Sequence, residues 1–166
     1  MSLTVLSDVL LRAIGPALDL LPPGMDTPKA RVELLAIGLQ ESRFMYRRQI
    51  NGPAKGFWQF EGGRFSATAE VFSNSKTMAF CERLCAIRKV GFSVPAIHAA
   101  IENDDVLAAG MARLRLWCNP NPLPSVDDTN GAWFYYVDTW HPGKPHRDTW
   151  DGFHTAARAA VLGADA

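Results

Sequence analysis

Between Val32 and Leu39 the chain reads Val-Glu-Leu-Leu-Ala-Ile-Gly-Leu, and Glu33 is its only charged residue. A helix that is apolar almost all round has no face to offer to water, so it belongs in the middle of a domain. Its start is marked by Asp26 or Thr27 as N-cap, with Pro28 just inside, where a missing N–H costs nothing. The helix is expected to run from Pro28 to about Ser42. Leu34, Ile37 or Gly38, and Glu41 share one face by the three-and-four rule. Glu41 is therefore the last-turn residue of a buried helix, placed where the core meets solvent.

The elements that must surround such a helix are also helical, since strand-like alternation is scarce. A first helix is expected over about Leu3 to Ile14, ended by Gly15-Pro16. Pro22-Pro23-Gly24 marks a turn-rich connection. Further helices are expected at Arg64–Ser73, Lys76–Lys89, Pro95–Glu102, Asp104–Cys118, Ala132–Trp140 and Arg147–Leu162. From Phe44 to Gly63 the helical pattern stops, and Asn51-Gly52-Pro53, Gly56 and Gly62-Gly63 leave room only for a very small β-hairpin. The fold class is mainly α, in one domain over residues 1–166. A chain of this length buries roughly 70% of its unfolded surface and needs no staples.

Lys plus Arg equals Asp plus Glu at 17 each, so no global field draws the chain to nucleic acid or an anionic membrane. No stretch approaches the ~20 apolar residues of a membrane span. Asp8 and Arg12 interrupt the apolar run near the start, which reads as an amphipathic helix and not a signal peptide. The expectation is synthesis in the cytoplasm without a signal peptide. Cys81 and Cys85 reach one helical face but lack paired CxxC spacing, so they read as buried reduced thiols, the alternative being a bridge or metal involving Cys118. His98, His141, His146 and His154 have no metal-ligand spacing, and no phosphate-binding glycine loop is present. No metal and no cofactor are implied.

Glycoside hydrolysis needs a carboxylic acid still protonated near neutral pH, and burial supplies one by disfavouring the carboxylate. Glu41 is placed for that shift. The residues around it, Gln40-Glu41-Ser42-Arg43-Phe44 and then Gly56-Phe57-Trp58-Gln59-Phe60-Glu61, carry a resemblance. They resemble the E-S-x-F and G-x-G-L-M-Q motifs of goose-type lysozymes and soluble lytic transglycosylases, within the lysozyme-like superfamily. Glu41, Ser42 and Phe44 match directly, as do Gly56 and Gln59, while Phe57-Trp58 replaces the usual Leu-Met. The resemblance covers roughly Val32 to Glu61. It implies a lysozyme-like helical domain, with Glu41 as catalytic acid at the end of a central helix and a glycine-containing segment lining a sugar cleft.

On that resemblance Glu61 stands where goose-type lysozymes carry an acid that positions or activates water. The other reading of Glu61 is a solvent-facing carboxylate at a helix start. Ser42, Gly56, Trp58 and Gln59 become substrate-binding candidates. Gly56 would admit a close sugar ring, Gln59 would offer a donor and an acceptor, and Trp58 would offer either an apolar face to a pyranose or a core aromatic. The family's later-helix tyrosine, often in A-Y-N-x-G, has no such motif here. Tyr135 and Tyr136 are its candidates, and successive helical positions 100° apart let only one face the cleft. Arg43, Arg47, Arg48, Lys55 and Arg64 form a basic cluster that either attracts peptide-stem carboxylates or is a solvated surface.

The resemblance implies a peptidoglycan-degrading glycosidase cleaving the β-1,4 bond between N-acetylmuramic acid and N-acetylglucosamine, by hydrolysis or lytic transglycosylation. The Trp140–Trp150 stretch resembles segments of small phage and prophage proteins, which implies action on the cell wall, virion-associated or released at lysis. The alternative from another class is a non-catalytic phage structural or assembly protein with a lysozyme-like fold.

Overall fold

The structure is a computed structural model that describes residues 3–164. It is mainly α-helical. The helices are α1 (Leu3–Val9), α2 (Gly15–Asp19), α3 (Pro28–Ser42), α4 (Ala67–Ser73), α5 (Met78–Arg88), α6 (Val94–Ile101), α7 (Asp105–Cys118), α8 (Thr129–Trp140) and α9 (Arg147–Ala164). A π-helical turn, Leu10–Ile14, joins α1 to α2, and a short 3-10 turn covers Pro23–Met25.

The α3 helix keeps the bounds its sequence announces. Thr27 caps it by accepting from the Ala30 N–H at 3.1 Å, and Pro28 opens the first turn. Val32, Leu34, Leu35, Ala36, Ile37 and Leu39 are all buried, so the helix is enclosed on every side. It packs most extensively along α9, with α7, α8 and the π turn covering the rest. Most of the remaining buried apolar side chains join these residues in a single cluster.

One expectation is corrected. Gly15-Pro16 does not end the first helical stretch. Gly15 N–H donates to Leu10 O across the wider π turn, and this register carries the chain past a proline that can neither donate nor tolerate the tighter turn. The expected limit of at most a very small hairpin holds, since that segment carries isolated antiparallel bridges, Arg48 with Lys55 and Lys55 with Phe60. Among the described residues no helix is long and apolar enough to cross a membrane. Cys81, Cys85 and Cys118 are free, and Cys81 packs its sulfur 3.6 Å from that of Met111.

Candidate active site

The site begins where α3 stops. Arg43 and Phe44 both take left-handed backbone conformations, at φ 55° and 53°, and this pair reverses the chain sharply after Ser42. Phe44 then folds back over the helix. Its ring lies so close to Gly38 that a Cβ there would meet Cζ at 2.3 Å. The loop that follows is closed by reciprocal backbone hydrogen bonds between Lys55 and Phe60, each 2.9 Å, and by Gly56 N–H donating to Arg47 O at 2.8 Å. Arg47 pairs with Asp105 and Arg48 with Glu102, which fastens the loop to the junction of α6 and α7.

Glu41 faces a cleft of about 860 Å³ lined also by Gln59, Glu61, Arg115 and Tyr136. Tyr136 Oη donates to Glu41 Oε1 at 2.7 Å. The phenol is itself held by Trp150, whose ring stacks on it at 5.1 Å and 15°. Trp150 is fully buried and donates its indole N–H to Thr129 O at 3.1 Å. Burial pushes the Glu41 carboxyl up to about 7, because the charged form loses its hydration. The Tyr136 hydrogen bond and the Arg115 charge favour the carboxylate and offset only part of that rise. Burial and the neighbouring Glu41 push the Tyr136 phenol above its ordinary value, so it stays a neutral donor.

Glu61 is exposed on the cleft wall, while its backbone carbonyl accepts from Thr68 Oγ1 at 2.7 Å and ties it to the first turn of α4. Gln59 sits at φ 51°, and its side-chain amide donates to Gly56 O at 2.8 Å and Tyr46 O at 3.4 Å. Those contacts leave its carbonyl oxygen for the cleft. Gln40, the residue before Glu41, donates to His146 O at 3.0 Å and accepts from Thr149 Oγ1 at 3.1 Å. This latch holds the turn between α8 and α9 as the opposite wall. No group of three or more His, Cys, Asp and Glu side chains is arranged for a metal ion among the described residues.

No family model, curated protein or solved structure matches the chain.

The chain's own geometry redistributes the candidate residues. Glu41, Gln59, Glu61 and Tyr136 come together at the cleft. Tyr135 does not: one step round α8 it is buried, donating to Leu116 O at 2.8 Å. Trp58 is wholly buried, a core aromatic and not a sugar platform, and its indole N–H is spent on Leu34 O inside α3 at 2.8 Å. Ser42 is also buried. Its single hydroxyl proton is shared between Phe57 O at 2.7 Å and Gly38 O at 3.2 Å, and its oxygen accepts from Phe44 N–H at 3.1 Å, so it splices helix to loop. Gly56, at φ +71°, makes its close approach to Ile101 and not to a ligand, since a Cβ would meet the Ile101 carbonyl oxygen at 2.8 Å.

Much of the basic cluster is likewise internal to the protein. Arg47, Arg48 and Lys55 are paired with Asp105 and Glu102, so they are partly neutralised where they stand. Arg43 lies over the Phe153 ring and Arg64 over Phe65. Sequence reasoning missed Arg115, Trp150 and Phe65. Phe65 is 95% exposed at the cleft rim. Arg115 had one legible sign, shared with Arg113: the two interrupt the apolar run Leu107–Leu116, where a charge needs a reason to be.

Proposed function

We propose that the protein is a peptidoglycan-cleaving glycosidase of the lysozyme-like superfamily, with Glu41 as general acid. One observation carries this reading: a carboxyl pushed up to about 7 by burial at the wall of a cleft, held by a neutral tyrosine. An acid that must donate near neutral pH works best with a pKa near the working pH. Tyr136 occupies Oε1, which leaves Oε2 as the oxygen that carries the proton toward substrate. The cleft volume lies within the range of small-ligand sites and accepts a short stretch of glycan.

In the reaction, Glu41 protonates the glycosidic oxygen leaving toward N-acetylglucosamine, and the bond from that oxygen to C1 of the muramyl residue breaks. Water attacks C1 and gives its proton to Glu61, on the same cleft, which yields a free reducing end. Gln59 orients an acetamido or hydroxyl group through its free carbonyl oxygen. The chemistry needs no cofactor. The substrate partner is the glycan strand of the bacterial cell wall, reached as a virion-associated protein or after release at lysis.

The deciding experiment digests purified peptidoglycan with wild type, Glu41→Gln and Glu61→Gln, and identifies the sugar ends by mass spectrometry. The reading requires reducing muramyl ends from wild type, none from a folded Glu41→Gln, and a severe loss in Glu61→Gln. Full activity in Glu41→Gln would refute it. Products ending in 1,6-anhydro sugar, with Glu61→Gln nearly unaffected, would move the assignment to lytic transglycosylation by the substrate's own 6-hydroxyl while keeping Glu41's role.

A further inference from the structure

Among the described residues Arg115 and Glu33 are the side chains that hold a buried polar atom without a hydrogen-bond partner, and only Arg115 lines the cleft. Its side chain is only 8% exposed, yet it forms part of the cleft wall beside Glu41 and Glu61. Its Nε is buried without a hydrogen-bond partner. The nearest carboxylate, Glu70, lies 3.7 Å away with 47% of its side chain exposed, too long for a hydrogen bond and too wet for a strong pair. The guanidinium instead leans on aromatic rings, 4.7 Å from the centroid of Trp140 and 6.0 Å from that of Phe60. Those contacts soften the cost of burying a cation but satisfy none of its N–H groups.

A buried, under-bonded guanidinium opening into a cleft is the arrangement that recognises a carboxylate, because its fork of donors matches two carboxylate oxygens. The surroundings carry both signs, with the Glu61 and Glu70 carboxylates already acting on Arg115. Lys144 lies on the wall with Arg115, and Glu41 repels little while it keeps its proton. We propose that Arg115 is the specificity residue of the cleft and binds a carboxylate carried by the glycan substrate. This rests on the glycosidase reading of the cleft. It selects acidic muramyl sugars over neutral N-acetylglucosamine polymers. The carboxylate is either the lactyl group of an unsubstituted muramyl residue or that of a stem peptide, and the two share the same recognition chemistry.

Binding of monosaccharide ligands tests this without interference from cleavage, since they contain no glycosidic bond. Wild-type protein is titrated by NMR with N-acetylmuramic acid, its lactyl methyl amide, N-acetylmuramyl dipeptide and N-acetylglucosamine. The expected result is binding of a carboxylate-bearing ligand roughly ten- to hundredfold tighter than of the neutral ones, with the preference abolished in Arg115→Met. Preference for the free acid alone assigns the lactyl carboxylate, and preference for the dipeptide assigns the stem. Arg115→Lys keeps the charge without the fork and should retain only part of the preference. The wild-type comparison of the carboxylate-bearing ligands with the neutral ones stands even where a variant fails to fold. Equal affinity for the acid, the dipeptide and the amide in a protein that still cleaves peptidoglycan would overturn the role of Arg115 alone. Absence of both sugar binding and cleavage would overturn the glycosidase reading and this proposal together.

Discussion

Replacing Glu41 by Gln should make the protein more stable at neutral and alkaline pH, by an amount the geometry allows to be worked out. The carboxyl stands at about 7 in the fold against 4.5 in an unfolded chain. Below pH 4.5 both states are protonated and burial of the neutral acid carries no ionic penalty. Between 4.5 and 7 the unfolded chain ionises while the folded one does not, so stability falls by about 1.4 kcal/mol per pH unit. Over that interval the loss is on the order of 3 kcal/mol, and it persists above pH 7, where the fold must hold a partly desolvated carboxylate. Gln has the same shape, keeps the oxygen that accepts from Tyr136, and does not ionise. The advantage of Glu41→Gln should therefore be near zero at pH 4, grow through the window from 4.5 to 7, and level off at on the order of 3 kcal/mol by pH 8. Urea denaturation of both proteins across that range measures it. Glu33, buried in the same helix and pushed well above its ordinary value by desolvation, adds a slope of the same sign to both proteins and cancels in their difference. A difference that does not change with pH, or a variant less stable than wild type at pH 8, would refute the buried-acid account. Such a gain on removing the acid is the expected mark of a site that trades stability for activity.

Peptidoglycan cleavage should decline as pH rises through about 7, and Tyr136→Phe should move that alkaline limb upward, because the lost hydrogen bond had favoured the carboxylate. The same variant should lower the rate on the order of tenfold, and a pH–rate profile unchanged from wild type would count against Tyr136 as the partner of Glu41. Trp58→Ala should cost about 3–5 kcal/mol in denaturant titration, since it empties a core site and orphans the Leu34 bond. A variant of normal stability with weakened sugar affinity would restore Trp58 as a platform. Gly38→Ala should cost about 1–3 kcal/mol by driving a methyl into the Phe44 ring, and shortening Phe44 to Leu in the same chain should recover part of it.

The extent to which this site was legible in the linear chain follows from how local each constraint is. Glu41's position at the mouth of a buried helix needed only the apolar run before it and a period of 3.6. At the site, the corrections fall where a residue's role depends on something far away in sequence. Trp58 turns inward because Leu34, twenty-four positions earlier, offers it a carbonyl. Arg47 and Arg48 look like a surface cluster until Asp105 and Glu102 arrive from α6 and α7. Gly56 looks like an opening for a ligand until Ile101 is seen filling it.

Periodicity, caps and turn residues are properties of neighbours along the chain, and they sufficed to establish a mainly helical fold, the bounds of α3 and the buried end at Glu41. The resemblance offered Tyr135 and Tyr136, and the helical period allowed only one of these neighbours to face the cleft. Which of the two was decided by the rotation of α8 against its neighbours, which buries Tyr135 against Leu116 and stacks Tyr136 on Trp150. The acidity of Glu41 was settled in the same way. A pKa depends on how much water and charge surround a group in space, and the packing of α7 and α8 around the end of α3 supplies both the desolvation and the opposing pull of Arg115. No pattern along the chain encodes that environment, because the groups that make it lie more than seventy positions apart.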